Sequence, residues 1–220
     1  MVNGMNTSLL ALAAALIALA QPALAQQDAA SSALDAQAAQ ATQPKLAKGL
    51  ILIHEGRVFL SPCRDRSYFN VDDVSEGGAT LAALKDFGLA PGRNLYVELL
   101  AIERGGLLEV SGINFAHTTA RCLGARANEE VWHAVGLNSE WEVAAGGGAM
   151  LLERRDQPAL SVTYDAVKSE YGQHRIEAPG VALAMKPGMC RLADGSTLTG
   201  WRATLTLDGG EVRDGCAWER

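Results

Sequence analysis

Between Trp201 and Asp208 every second side chain is apolar: Trp201, Ala203, Leu205 and Leu207 alternate with Arg202, Thr204, Thr206 and Asp208. A period of two places the apolar set on one face of an extended strand and the polar set on the other. Asp208-Gly209-Gly210 then supplies residues suited to a tight reversal towards Val212 and Cys216. The same grammar recurs upstream. Leu160, Val162 and Tyr164 alternate with Ser161, Thr163 and Asp165, and Trp141-Glu142-Val143 returns through Gly146-Gly147-Gly148 into Met150-Leu151-Leu152. His174 to Ala178 turns at Pro179-Gly180 into Val181, Leu183 and Met185. Residues 127–220 therefore predict six or seven short antiparallel strands, a β-meander or small barrel.

Residues 48–126 carry a different order. Leu50 to Ile53, a Glu55-Gly56 turn and Val58 to Leu60 predict a hairpin, and Ser67 to Val71 a short third strand. Leu81, Leu84 and Phe87 recur at helical spacing, with Gly88 where a helix stops. Asn94 to Ile102 and Leu107 to Ile113 flank Arg104-Gly105-Gly106 as a second hairpin. Strand, strand, strand, helix, strand, strand is the element order of a five-stranded OB barrel. The expected fold is thus mainly all-β: an OB-like barrel with one helix, then an antiparallel β module.

The N-terminal residues differ from both halves. No ionisable side chain occurs before Asp28, and Leu9 to Ala20 is an unbroken apolar run followed by Pro22 and Ala23-Leu24-Ala25. A helix of that run rises about 18 Å, short of a hydrocarbon core of about 30 Å. Residues 1–25 are read as a signal peptide cleaved after Ala25, with an uncleaved anchor from Thr7 to Ala25 as the alternative. Residues 26–47 are mostly Ala, Gln and Ser, too poor in large apolar groups to offset their ordering entropy, and read as a flexible linker. The expected location is periplasmic or secreted, with no stable membrane insertion after cleavage.

All four cysteines, Cys63, Cys122, Cys190 and Cys216, lie beyond these segments and form no CxxC pair. Three pairings are open; Cys63–Cys122 and Cys190–Cys216 are favoured because each falls within one half. Loop-closure entropy assigns each about 4 kcal/mol. Charge narrows the partners. Residues 48–126 hold nine basic and nine acidic side chains, and residues 127–220 nine against fourteen, within a chain of net charge −6. Nucleic-acid binding draws on a basic excess that releases counterions, so no nucleic-acid partner is expected.

Gly136, Asn138 and Trp141, then Cys190, Gly195 and Ser196, then Leu205, Gly209, Val212, Gly215, Cys216 and Ala217 carry a resemblance. They are similar to the C-terminal region of a family of poorly characterised proteobacterial periplasmic proteins and lipoproteins. Phe59, Pro62-Cys63 and Leu95 to Glu98 resemble the OB-like region that precedes that module in some members, and the C-terminal domain of a copper-related, envelope-stress outer-membrane lipoprotein. The likeness spans residues 50–218. It implies an envelope location and structural cysteines, and it transfers no catalytic residue.

Candidate chemistry is sparse. His54, His117, His133 and His174 share neither H-x-H nor H-x₃-H spacing, so no metal is expected. Ser196 lacks the G-x-S-x-G context of a nucleophile elbow. Asp72-Asp73 and Glu129-Glu130 are adjacent pairs, which point to opposite faces of a strand. No cofactor is expected, and no enzyme activity. The candidate binding surface comprises Arg57, Arg64 and Arg66, the basic concentration around Cys63, with Trp141 and Trp201 as aromatic anchors. The expected role is non-catalytic binding of an envelope protein or cell-wall component. The alternatives are an inhibitor of a cell-wall lytic enzyme, such as lysozyme, or a metal-handling or redox stress protein.

Overall fold

The computed structural model describes residues 43–122 and 130–220, and residues 44–220 form one compact unit. The signal-peptide segment and most of the linker lie outside the described residues. The chain is mostly β. The first strand, β1 (Lys45–His54), begins inside the stretch assigned to the linker. Lys45, Leu46 and Ala47 pair with Ala101, Leu100 and Leu99, so neighbouring backbone supplies the order that their own composition does not.

The hairpin β1–β2 (Arg57–Pro62) turns at Glu55-Gly56, both at positive φ, and β3 (Phe69–Asp73) follows. Helix α1 (Ala79–Phe87) buries Leu84 and Phe87 and stops at Gly88, whose φ of 130° a side chain disfavours. β4 (Leu95–Arg104) and β5 (Leu107–His117) form the second hairpin. β1 pairs with β2 and β4, β2 with β3, β4 with β5, and β3 runs parallel to β5. These five pairings trace a ring around a core that includes Ile51, Leu60, Leu84, Leu95, Val97 and Leu99.

Among the described residues nine strands follow: β6 (Glu130–Gly136), β7 (Trp141–Gly146), β8 (Ala149–Arg154), β9 (Gln157–Thr163), β10 (Val167–Glu170), β11 (Gln173–Ala178), β12 (Val181–Arg191), β13 (Thr197–Leu207) and β14 (Val212–Glu219). Every pairing among them is antiparallel. β6 lies beside β7 on one edge and β14 on the other. Counting alternations from β6 through β8 to β9, and from β6 through β14 back to β10, gives β9 and β10 the same direction. Only residues 164–166 separate them. They are two halves of one bent strand, the first paired with β8 and the second with β11. The second half is therefore an up-and-down circuit of eight members, closed by covalent continuity where hydrogen bonding lapses.

An eight-membered circuit leaves a lumen about as wide as its own side chains. Trp132, Trp141, Met150, Leu152, Ile176, Leu183, Met185 and Leu205 fill it. Trp141 stands over Gly136 and Gly215, which are register partners on β6 and β14. A Cβ at either position would come within 2.7 Å of its ring. Residues that carry the resemblance at the start and end of this half thus meet at one point in the interior.

Both disulfides follow the favoured pairing. Cys63–Cys122 ties the end of β2 to the segment after β5, with Cα atoms 5.6 Å apart. Cys190–Cys216 joins β12 to β14 across β13, beside a register shift between Pro187 and Cys190.

Candidate functional site

The two β bodies meet through their outer faces, and most of the buried polar chemistry lies there. β5 continues into the second sheet: His117, Ala116 and Phe115 pair with Thr197, Leu198 and Thr199 of β13. On β4 the inward set Leu95, Val97 and Leu99 faces the ring core, which leaves Tyr96 and Glu98 on the opposite face. That face would be wet in an isolated ring. Here Trp218 of β14 closes over it, with Tyr96, Phe115 and Trp218 sharing one buried cluster. The Phe115 and Trp218 rings lie 4.8 Å apart.

Glu98, only 5% exposed, is held on several sides. Tyr96 donates its hydroxyl to Oε1 at 2.8 Å, Asn114 donates to Oε2 at 3.3 Å, and the Lys48 ammonium lies 3.2 Å from Oε2. Burial, reinforced by the hydrogen bond to Glu98 and its charge, pushes the Tyr96 phenol well above its ordinary range. Asn114 also copies a strand edge: its Nδ2 donates to the Glu219 carbonyl at 2.7 Å, and its Oδ1 accepts from the Glu219 N–H at 2.9 Å. The register shifts beside Asn114, where Glu98 faces Phe115 and Leu99 faces Ile113. The bulge frees Asn114 from the ladder for this task.

His133 continues the seam on β6. Its ring lies tilted against that of Trp218, 4.4 Å away, its Nδ1 contacts Glu130, and its Nε2 lies 2.9 Å from Glu142 Oε1. Arg220 reaches Glu130 at 3.6 Å and lies over the Trp218 ring. These groups bind one another, so the arrangement is a polar and aromatic joint between the two bodies.

A second gathering sits beside it. His117, Asp194 and Ser196 are the residue types of a hydrolytic triad, and the β5–β13 pairing brings them near one another. Their order is wrong for that chemistry. The Ser196 hydroxyl donates directly to Asp194 at 2.8 Å, and the Thr119 N–H donates to His117 Nδ1. The neutral imidazole therefore carries its N–H, not a lone pair, at Nε2, and Asp194 closes a turn. Hydrogen bonds from Ser196, its N–H first, hold the Asp194 carboxyl below its usual range.

The candidate binding residues separate. Trp141 is 1% exposed and belongs to the interior, because glycines on β6 and β14 make room for its ring; it is a core residue, not a surface anchor. Trp201 is half-buried and packs against Trp132 at 5.0 Å and His174 at 5.2 Å, at the rim of the same core. Arg57 opens β2 opposite His54, at the far end of that strand from Cys63, about 20 Å away by strand rise. It does not join Arg64 and Arg66, which remain exposed beside the disulfide. The structure adds Tyr68, 63% exposed, and Arg121, next to Cys122. Among the described residues no group of three or more His, Cys, Asp or Glu is arranged to hold a metal ion. Comparison with protein-family models, curated proteins and solved structures gives no match to this chain.

Proposed function

We propose that the protein acts outside the cytoplasm as a non-catalytic binding protein of the cell envelope, presenting loops on a rigid frame of two β-barrels. The first body reads as an OB-type barrel, because its pairing circuit and the helix between β3 and β4 match that design. The observation that carries the reading is the fused joint. Glu98 is held by Tyr96, Asn114 and Lys48, and His133 by Glu130 and Trp218, so the groups best suited to chemistry are already engaged. The lumen of the second body is filled, so ligand contact falls to exposed loops.

The disulfides support an extracytoplasmic setting, and the outer face of the second body does not suit burial in lipid. Both disulfides are formed, and no described cysteine is free; such bonds persist in oxidising compartments. The outward positions of the second barrel include Glu153, Arg175, Glu177 and Arg202, where a lipid-facing barrel carries an apolar band. No helix among the described residues is long and apolar enough to cross a membrane.

The test pairs capture with turnover. Purified protein immobilised on a resin is exposed to envelope extract, and retained components are identified by mass spectrometry. In parallel it is assayed on ester, peptide and glycan substrates, and against lysozyme. Specific retention without turnover is expected. Turnover abolished by a single substitution would refute the reading, and lysozyme inhibition would favour the inhibitor alternative.

A further inference from the structure

We propose that the loop from Cys63 to Tyr68, together with Arg121, holds an acidic glycan, a saccharide chain bearing carboxylates; this rests on the binding role above and names its ligand. Arg64, Arg66 and Arg121 are all exposed, and Tyr68 shows 63% of its surface. They lie on segments distant in sequence that the disulfide joins. With Cys63 and Cys122 Cα atoms 5.6 Å apart, the flanking Arg64 and Arg121 stand within about 13 Å of each other.

Loop shape is fixed from several sides. Cys63 donates its N–H to Lys48 O at 3.3 Å and packs on the buried joint, and β3 takes up the chain at Phe69. Asp65, the one carboxylate in the loop, accepts the backbone N–H of Ser67. Among the described residues no ion pair engages any of the three arginines.

Ligand class follows from charge and shape. Guanidinium groups fork carboxylates with paired hydrogen bonds. The exposed phenol two residues beyond Arg66 offers an apolar face to the C–H face of a sugar ring. The whole chain carries a net charge of −6. An anionic membrane would set many like charges against that acidic body, whereas a single narrow polymer touches the patch alone. Duplex nucleic acid draws its affinity from many phosphates at once, and three arginines span too little of it.

Titration calorimetry with a short oligogalacturonate tests this. Saturable binding that weakens with added salt is expected, and a neutral oligosaccharide of equal length is expected not to bind. The double variant Arg64→Ala/Arg66→Ala should bind about tenfold more weakly, and Tyr68→Ala about threefold. All changes are at exposed positions, and intact mass with circular dichroism verifies the bridges and the fold. Unchanged affinity in the arginine variant overturns the inference. So does polyphosphate binding as tightly as the saccharide, or retention by anionic phospholipid vesicles without saccharide binding. A protein that captures an envelope component yet ignores oligogalacturonate loses this inference and keeps the broader binding role.

Discussion

His117 sits where three influences meet. Its ring stacks on Phe115, its Nδ1 accepts the Thr119 N–H, and Asp194 lies near enough to act on its charge. Burial pushes the imidazole below its ordinary range, and Asp194 opposes that push without cancelling it. The unfolded chain therefore takes up a proton more readily than the folded one. This contribution to stability is present above the unfolded value of about 6.5 and is lost below it, as pH falls through the lower folded value. In urea unfolding the wild type should lose stability as pH falls below about 6.5, and His117→Gln should lose less; identical slopes would refute the assignment. Sequence pattern located other residues unevenly. The inward faces of Leu205, Val162 and Leu183 were legible from alternation. Glu98 and Asn114 were not, because the partner that buries them comes from β14, more than a hundred residues away. Trp141 misled as a surface candidate for a related reason: the glycines that admit its ring lie on two other strands.

Strand β13 shows how an element is shared. Residues 201–206 pair with β14, and residues 197–199 pair on the same side with β5. The exchange occurs at Gly200, where an added Cβ would sit 1.8 Å from the Ile113 carbonyl oxygen. That contact is backbone and has no side chain to swing away. Gly200→Ala should cost about 3 kcal/mol, read as a lowered midpoint in urea denaturation at unchanged slope. A loss below about 1 kcal/mol would mean that the junction yields. Hairpins with glycine turns were readable because local chemistry specifies them. β6 and β10 escaped notice: β6 carries Trp132, His133 and Ala134 buried in succession, one face turned to the lumen and the other to the joint. Buried on both sides, a strand loses the alternation that announces it.

For the molecule as a whole, the joint decides whether two bodies behave as one. Tyr96, Phe115 and His133 all converge on Trp218. Calorimetry of the wild type should show a single cooperative transition, and Trp218→Ala should split it into two, one for each body. Two transitions in the wild type would show the joint to be weak. β14 has a further consequence. It pairs with β13 and β6, closes the second circuit, and receives Asn114 from the first. Neither half reaches its final packing until this late segment of the polypeptide arrives, and its partner β6 lies some eighty positions earlier. Such distant pairing makes for slow folding. A keystone placed this late ties the completion of both halves to one strand, β14.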